Sequence, residues 1–344
     1  MDGVDFHALS NLKCYTPAGD AIYAYDGFDC GYTPISKSVN APTASGSNVI
    51  HLSSTSGISV GMSVYDINAG PNTAFSGTVQ SIVTNTSVTM TGNWSYPNPI
   101  VSGDTLVFGA SCGGTGLVID GDTTLMGGSR YGITLSGGLG GVYIYSLHAY
   151  SFASHAIYVD TLSANGIPNR EIFLGQFTDI DSNKGAGLYV NNNSIGVLQI
   201  NGAWIGASGS DAVFIAQQHT TQNPVDTGAL VYIANSRISQ SNGSCLRYAD
   251  TGTLVLTGNV MSWCYGAGGD GLSVTSNDSR PKITATGNVF QSNNHYGVYI
   301  YGTAPASMVW VGNQWSGNTG GTQAGIVPSA NVSCIGNVGG GTGC

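Results

Sequence analysis

The chain has 344 residues, 52 of them Gly, with only 8% charged residues and a formal net charge of -9. Glycine at that level among Asn, Ser and Thr makes poor helices and favours turns and strands, while the hydrophobic content argues against disorder. The acidic balance, with no basic run, argues against a nucleic-acid partner, and no apolar stretch reaches the ~18 residues of a membrane helix.

The first residues, "MDGVDFHALS", carry neither a basic n-region nor an apolar h-region, so no signal peptide is read here. An extracellular or virion-borne location would then need a removed export signal or a route without one. Seven Cys is an odd count. Cys14 with Cys30, and Cys334 with Cys344, could close loops in an oxidising compartment, or stay reduced. No CxxC spacing points to a metal site. Residues 1–35 read as an N-terminal segment or cap. Residues 36–110 then alternate apolar and polar positions between Gly and Asn turns, as in "STSGISVGMSVYDIN" and "GTVQSIVTNTSVTMTGNW". They read as a small β module, with a lengthened early coil plus capping loops as the alternative. "GTGLVIDGD" has the glycines of a phosphate loop but no helix to follow them, which excludes that reading.

From there a small residue followed by apolar-x-apolar keeps returning. It appears as "GITL" at Gly132, "AIYV" at Ala156, "GLYV" at Gly187, "AVFI" at Ala212, "CLRY" at Cys245, "GLSV" at Gly271, "GVYI" at Gly297 and "GIVP" at Gly325, in steps of 24 to 33 residues. A second strand signal runs from "VYIY" at Val142 to "MVWVGN", followed by turn asparagines at Asn235, Asn259, Asn288, Asn313 and Asn337. Stacked asparagines of this kind can pass amide hydrogen bonds from rung to rung. Three short strands per ~26 residues with no helix between them specify a parallel β-solenoid, since a propeller blade needs ~40–45 residues. The period and turn asparagines resemble right-handed parallel β-helices of the pectate-lyase-like superfamily, which includes many phage tailspikes; residues 36–110 resemble a β module of such proteins. The expectation is an all-β, right-handed parallel β-helix of about 8–9 coils over residues 111–344, after the small module. The resemblance implies a homotrimer and a polysaccharide substrate.

Strand alternation sorts the faces. One outward row reads Tyr158, Tyr189, Phe214, Arg247, Ser273, Tyr299; a second reads Tyr143, Phe173, Gln199, Tyr232, Val255, Thr284, Trp310. Exposed aromatics at that spacing suit either pyranose rings or subunit contact. Counting back from each anchor gives a third-strand row of His148, Asp179, Trp204, Arg237, Trp263 and Val289, with Tyr150, Asp181, Gly206, Ser239, Tyr265 and Gln291 beside it. Carboxylates, aromatic platforms and an Arg on one face have the composition of a carbohydrate site. Asp179 and Asp181, ~6.5–7 Å apart along one side of a strand, could serve as the two carboxylates of a glycoside hydrolase, although solvated acids on an outward face need no function. The catalytic candidates are Asp179, Asp181, His148 and Asp211. Trp204, Arg237, Tyr150, Trp263, Tyr265 and Glu171 are the candidates for holding substrate. Asp270 and His155 sit on turns beside this face, and two insertions carry Arg170, His219 and Asp226. Polygalacturonase-type acid motifs are absent. The alternatives are a non-catalytic glycan-binding spike and a lyase on a uronic-acid polymer; the lyase would use Ca²⁺ or a cation with a base among Lys184, Arg237, Tyr150 and His148. The hydrolase needs neither metal nor cofactor.

Overall fold

The computed structural model describes residues 6–24, 35–66, 74–93, 100–109, 116–161, 169–218, 228–275, 280–301, 303–324 and 331–339. Three parallel sheets run the length of a right-handed solenoid. Sheet A has ten strands, from Phe6–Ser10 to Val332–Ile335; sheet B has nine, from Lys13–Tyr15 to Gln314–Ser316; sheet C has nine, from Ile22–Ala24 to Gly321–Ala324. Each coil contributes one strand to each sheet in the order A, B, C. All edges except the two ends are therefore paired, which a parallel sheet requires.

The first coil is a finding that the sequence did not suggest. The segment expected to be a cap pairs directly with the body: Phe6–Ser10 with Gly116–Asp120, Lys13–Tyr15 with Thr124–Met126, and Ile22–Ala24 with Ile133–Leu135. The module is inserted between the first and second coils. Its six strands, Ile35–Ala41, Val49–Leu52, Ser63–Asp66, Ala74–Val83, Ser87–Met90 and Thr105–Phe108, close an antiparallel barrel. It buries its own core, with Ile50, Leu52, Val88, Met90, Ile100, Leu106 and Phe108 fully enclosed, so it is no lengthened coil.

The solenoid core follows from period-2 alternation stacked at about 4.8 Å per rung. Val142, Ile172, Leu198, Val231, Leu254, Ile283 and Met308 line the inside of sheet A, and Ala149, Ile180, Ile205, Ile238, Met261, Phe290 and Trp315 line sheet B. At the corner from A to B each coil turns through a residue with positive φ, and the next residue points into the core. Asn259, Asn288, Asn313 and Asn337 occupy that inward position, and each Nδ2 donates to the Oδ1 of the next at 2.9, 2.9 and 3.1 Å. Asn235 is not a member of this ladder. It is the left-handed corner residue itself (φ 50°), and Ser236 takes the inward place, its N–H donating to Asn259 Oδ1 at 3.0 Å.

Two placements shift, and the cysteines resolve in part. Trp310 points inward opposite Ala285, whose small side chain leaves room for it beside Phe290 and Trp315; Val309 takes its place in the outward row. The strand expected at Gly325 is formed instead by Gly321–Ala324, and residues 325–330 lie outside the described ones. Cys14 is a free thiol; Cys334 is disulfide-bonded, while Cys30 and Cys344 lie outside the described residues. A disulfide that spacing did not suggest joins the buried Cys245 and Cys264.

Candidate functional site

The outward face of sheet B holds the densest chemistry. Register places His148, Asp179, Trp204 and Arg237 in one row, and Tyr150 beside Asp181 in the next. The row then departs from expectation. The turn after Val260–Ser262 is longer than its predecessors, so Val260, not Trp263, stacks on Arg237, and Ser262, not Tyr265, stacks on Ser239. Trp263 is the left-handed residue leaving the strand (φ 57°), where its ring lies 5.2 Å from the Arg237 guanidinium; Tyr265 is exposed on the turn.

A groove of about 490 Å³ lies at the corner between sheets A and B, lined by Asp122, Ser146, His148, Phe177, Thr178, Asp179, Gly202 and Trp204. His148 is held between two carboxylates: Nε2 is 3.1 Å from Asp122 and Nδ1 is 3.6 Å from Asp179. Burial raises the Asp179 pKa above the usual carboxylate range; His148 works against that rise, and the nearby Asp181 adds to it. Asp179 Oδ1 is buried and takes no hydrogen bond from the described residues. Such a carboxyl is costly to keep ionised, which favours the protonated form. Asp122, by contrast, is 72% exposed. Trp204 forms a wall of the groove, its Nε1 donating to Ser239 Oγ at 3.2 Å.

Phe177 stands at the rim, 74% exposed, with φ at 60°. A bulky residue in the left-handed region is strained, and Gly202, Gly258, Gly287 and Gly312 fill the same corner elsewhere. Neither Asp122 nor Phe177 was among the expected site residues. Both sit at a corner one coil before a candidate, and a count of corner positions would have found them.

The other candidates go elsewhere. Asp181 accepts a hydrogen bond from Ser182 Oγ and, like Tyr150 and Arg237, is outside the groove lining. Asp211 is buried at the turn into sheet C, where it accepts the Ser244 N–H at 2.7 Å and pairs with Arg247 Nε at 3.4 Å. Burial pushes its pKa up, opposed by Arg247 and by that N–H. Glu171 lies on sheet A opposite Val197. His219, Asp226 and the side chain of Arg170 lie outside the described residues. Lys184 and Gly185 form the backbone hydrogen bonds of a turn.

The long aromatic rows are stacked in part and tilted in part: Tyr158 and Tyr189 meet at an interplanar angle of 31°, and Tyr189 and Phe214 at 56°. Tyr131 stacks on Tyr158 at 4.5 Å, and Tyr143 on Phe173 at 4.9 Å with an interplanar angle of 3°. Where rings stack face to face, as Tyr143 and Phe173 do, the covered faces are lost to a pyranose. Trp204 and Phe177, on the groove, belong to no such stack among the described residues.

This architecture defines a right-handed parallel β-helix protein. Residues 178–337 match the family model for a right-handed β-helix region. No curated protein is matched by the chain. Among solved structures it is similar to tailspike gp61 of Pseudomonas phage phi297, at 11% identity and TM-score 0.31, covering 97% of this chain and 69% of that one. It is also similar to the gp54 tailspike of Acinetobacter baumannii bacteriophage AP22, in complex with a capsular saccharide, at 12% identity and TM-score 0.33, covering 97% and 63%. A GH87 α-1,3-glucanase catalytic domain in complex with nigerose is similar at 9% identity and TM-score 0.19, covering 88% and 90%. At these identities and scores no activity is carried over from them.

Proposed function

We propose that this chain binds an extracellular polysaccharide across the corner groove and cleaves it as a glycoside hydrolase, in a tailspike-like homotrimer on a virion. The observation that carries the reading is His148 suspended between Asp122 and Asp179 in a groove walled by Trp204 and Phe177. Two carboxyl groups separated by one imidazole ring fall in the window of about 5–9.5 Å over which paired acids hydrolyse glycosides. Asp179, favoured in its protonated form by burial, gives its proton to the departing glycosidic oxygen as the bond to the anomeric carbon breaks. Asp122, open to solvent, draws a proton from the water whose oxygen joins that carbon. His148 orients both acids, and Trp204 offers the sugar an aromatic wall.

The groove lining contains neither Lys nor Arg among the described residues. A lyase that neutralises a uronate carboxylate with a basic side chain would find none in this lining, whereas the two carboxylates suit acid–base hydrolysis. The chemistry described needs no metal. The trimer rests on the resemblance alone, and sedimentation of the purified chain tests it.

The deciding experiment measures depolymerisation of a panel of capsular and exopolysaccharides by the wild type, Asp179→Asn and Asp122→Asn, with glycan binding measured in parallel. The expected result is a loss of at least about 100-fold in turnover for either variant, with binding retained. Full turnover in both variants removes the hydrolase from this groove. Binding by the wild type without any cleavage leaves an adhesin.

A further inference from the structure

A second hollow lies on the other side of the same corner, on the margin of sheet A. It has a volume of about 340 Å³ and is lined by Tyr145, Phe173, Leu174, Gly175, Gln176, Gln199 and Asn201. Its residues are chain neighbours of the groove lining. Tyr145 precedes Ser146, Gln176 precedes Phe177, and Asn201 precedes Gly202, so three successive coils contribute adjacent residues to the two hollows. The ridge between the two is Phe177, strained and exposed.

The chemistry of the two hollows differs. The groove has two carboxylates and an imidazole; among the described residues this hollow has no carboxylate, imidazole or cation, but three side-chain amides and two aromatic rings. The Gln176 and Gln199 amides have no hydrogen-bond partner among the described residues, and Asn201 uses only its Oδ1, accepting from Asn235 Nδ2 at 3.2 Å. Each free amide offers both a donor and an acceptor. Gly175 makes the aromatic wall possible, because a Cβ there would run into the Tyr145 ring, which lies against the backbone and is still 41% exposed. Phe173 is backed by Tyr143, stacked on it at 4.9 Å.

We propose that this hollow is a second glycan subsite that takes an uncharged sugar residue bearing an acetamido group, from the same chain that lies in the groove. The inference rests on the groove being a glycan site. A secondary amide is matched in both directions by Gln176 and Gln199, and its methyl group is matched by the ring of Phe173. A carboxylate-bearing sugar finds no cation here, and leaving its charge unpaired would be costly. The polymer crosses the ridge at Phe177, so it runs across the corner between sheets A and B.

The test is calorimetric titration of the wild type, Gln199→Ala, Gly175→Ala and Trp204→Ala with N-acetylglucosamine, glucose and galacturonic acid oligosaccharides of graded length. The expected result is affinity that climbs with length most steeply in the acetylated series. Gln199→Ala, which removes hydrogen bonds to the ligand from a half-buried outward position of sheet A without touching the core, lowers affinity for long acetylated chains about fivefold to tenfold and flattens the preference. Gly175→Ala does the same by displacing Tyr145. The subsite is overturned if Gln199→Ala binds long acetylated chains as the wild type does, or if plain and acidic chains bind as tightly as acetylated ones. Loss of binding in Trp204→Ala alone leaves the groove standing and removes the subsite. Failure of the wild type to bind any glycan overturns both.

Discussion

Replacing Phe177 with Gly separates a functional residue from a structural one. An L-residue with a Cβ in the left-handed region carries about 1–2 kcal/mol of strain. Glycine is free of that strain, but loses about 0.5–1 kcal/mol more chain entropy on folding. Only about a quarter of Phe177 is buried, the rest being exposed, so removing the ring forfeits well under the ~2–3 kcal/mol of a fully buried aromatic side chain. These contributions nearly offset, and Phe177→Gly should change stability in urea unfolding by no more than about 1 kcal/mol. An aromatic residue removed from the core, such as Phe290, would cost about 3–5 kcal/mol. Glycan affinity should fall at least fivefold, the loss of more than ~1 kcal/mol expected of an anchoring aromatic. The reasoning fails if the variant loses more than about 2 kcal/mol of stability, because the ring would then be holding the corner together. It fails equally if binding is untouched, because the strain would have no use.

Two further expectations concern the scaffold. Asn288→Ala strips the acceptor from both the N–H and the Nδ2 of Asn259 and the donor from Leu256 O. Urea unfolding should show a loss of about 3 kcal/mol or more, against roughly 1 kcal/mol for Asn337→Ala at the half-buried end of the ladder. Asp250 and His155 oppose each other in pH. Burial pushes the Asp250 pKa up from 3.8 to about 6, so the ionised form destabilises the fold; that penalty is full above pH 6, shrinks as pH falls below 6 and is gone near the unfolded value. Burial pushes His155 down to about 4, so stability is lost as pH falls from its unfolded value near 6.5. Between pH 7 and pH 5 the two contributions should largely cancel, each amounting to about 1–2 kcal/mol. In Asp250→Asn the His155 contribution stands alone, so melting temperature should fall more steeply over that interval than in the wild type; an unchanged slope would contradict this assignment.

How much was legible depended on whether turn length stayed constant. Wherever it did, counting from the anchors gave the register: Tyr158, Tyr189, Phe214, Arg247, Ser273 and Tyr299 stack as the sequence implies, and so do His148, Asp179, Trp204 and Arg237. The longer turn after Ser262 carried Trp263 and Tyr265 out of their row. Trp310 was misplaced because alternation does not register that a neighbouring Ala285 makes room in the core. The first coil was illegible because its partner strands lie more than a hundred residues away, beyond the barrel, and no local period can reveal that. Asp122 was passed over because it lies on a corner, where strand alternation has no meaning.

The corners also show why the groove is where it is. Along the A-to-B corner the left-handed position holds Asp122, Ser146, Phe177, Gly202 and Asn235, then only glycine: Gly258, Gly287, Gly312 and Gly336. The inward residue after it is Thr123, Leu147, Thr178, Ala203 and Ser236, then only asparagine: Asn259, Asn288, Asn313 and Asn337. One stretch of the solenoid therefore has unstrained corners and an unbroken amide ladder, the arrangement that stability alone would select. The four coils that line the groove forgo the ladder and, in three of them, place a non-glycine residue where glycine is cheapest. Strain of this kind persists only where surrounding structure overdetermines it and concentrates where function needs a side chain. Because each coil contacts only its neighbours, the regular coils can offset the local cost without constraining which side chains the groove displays. A groove built for chemistry and a ladder built for stability thus occupy the same corner in different coils, and the change from one to the other falls between Gly202 and Gly258.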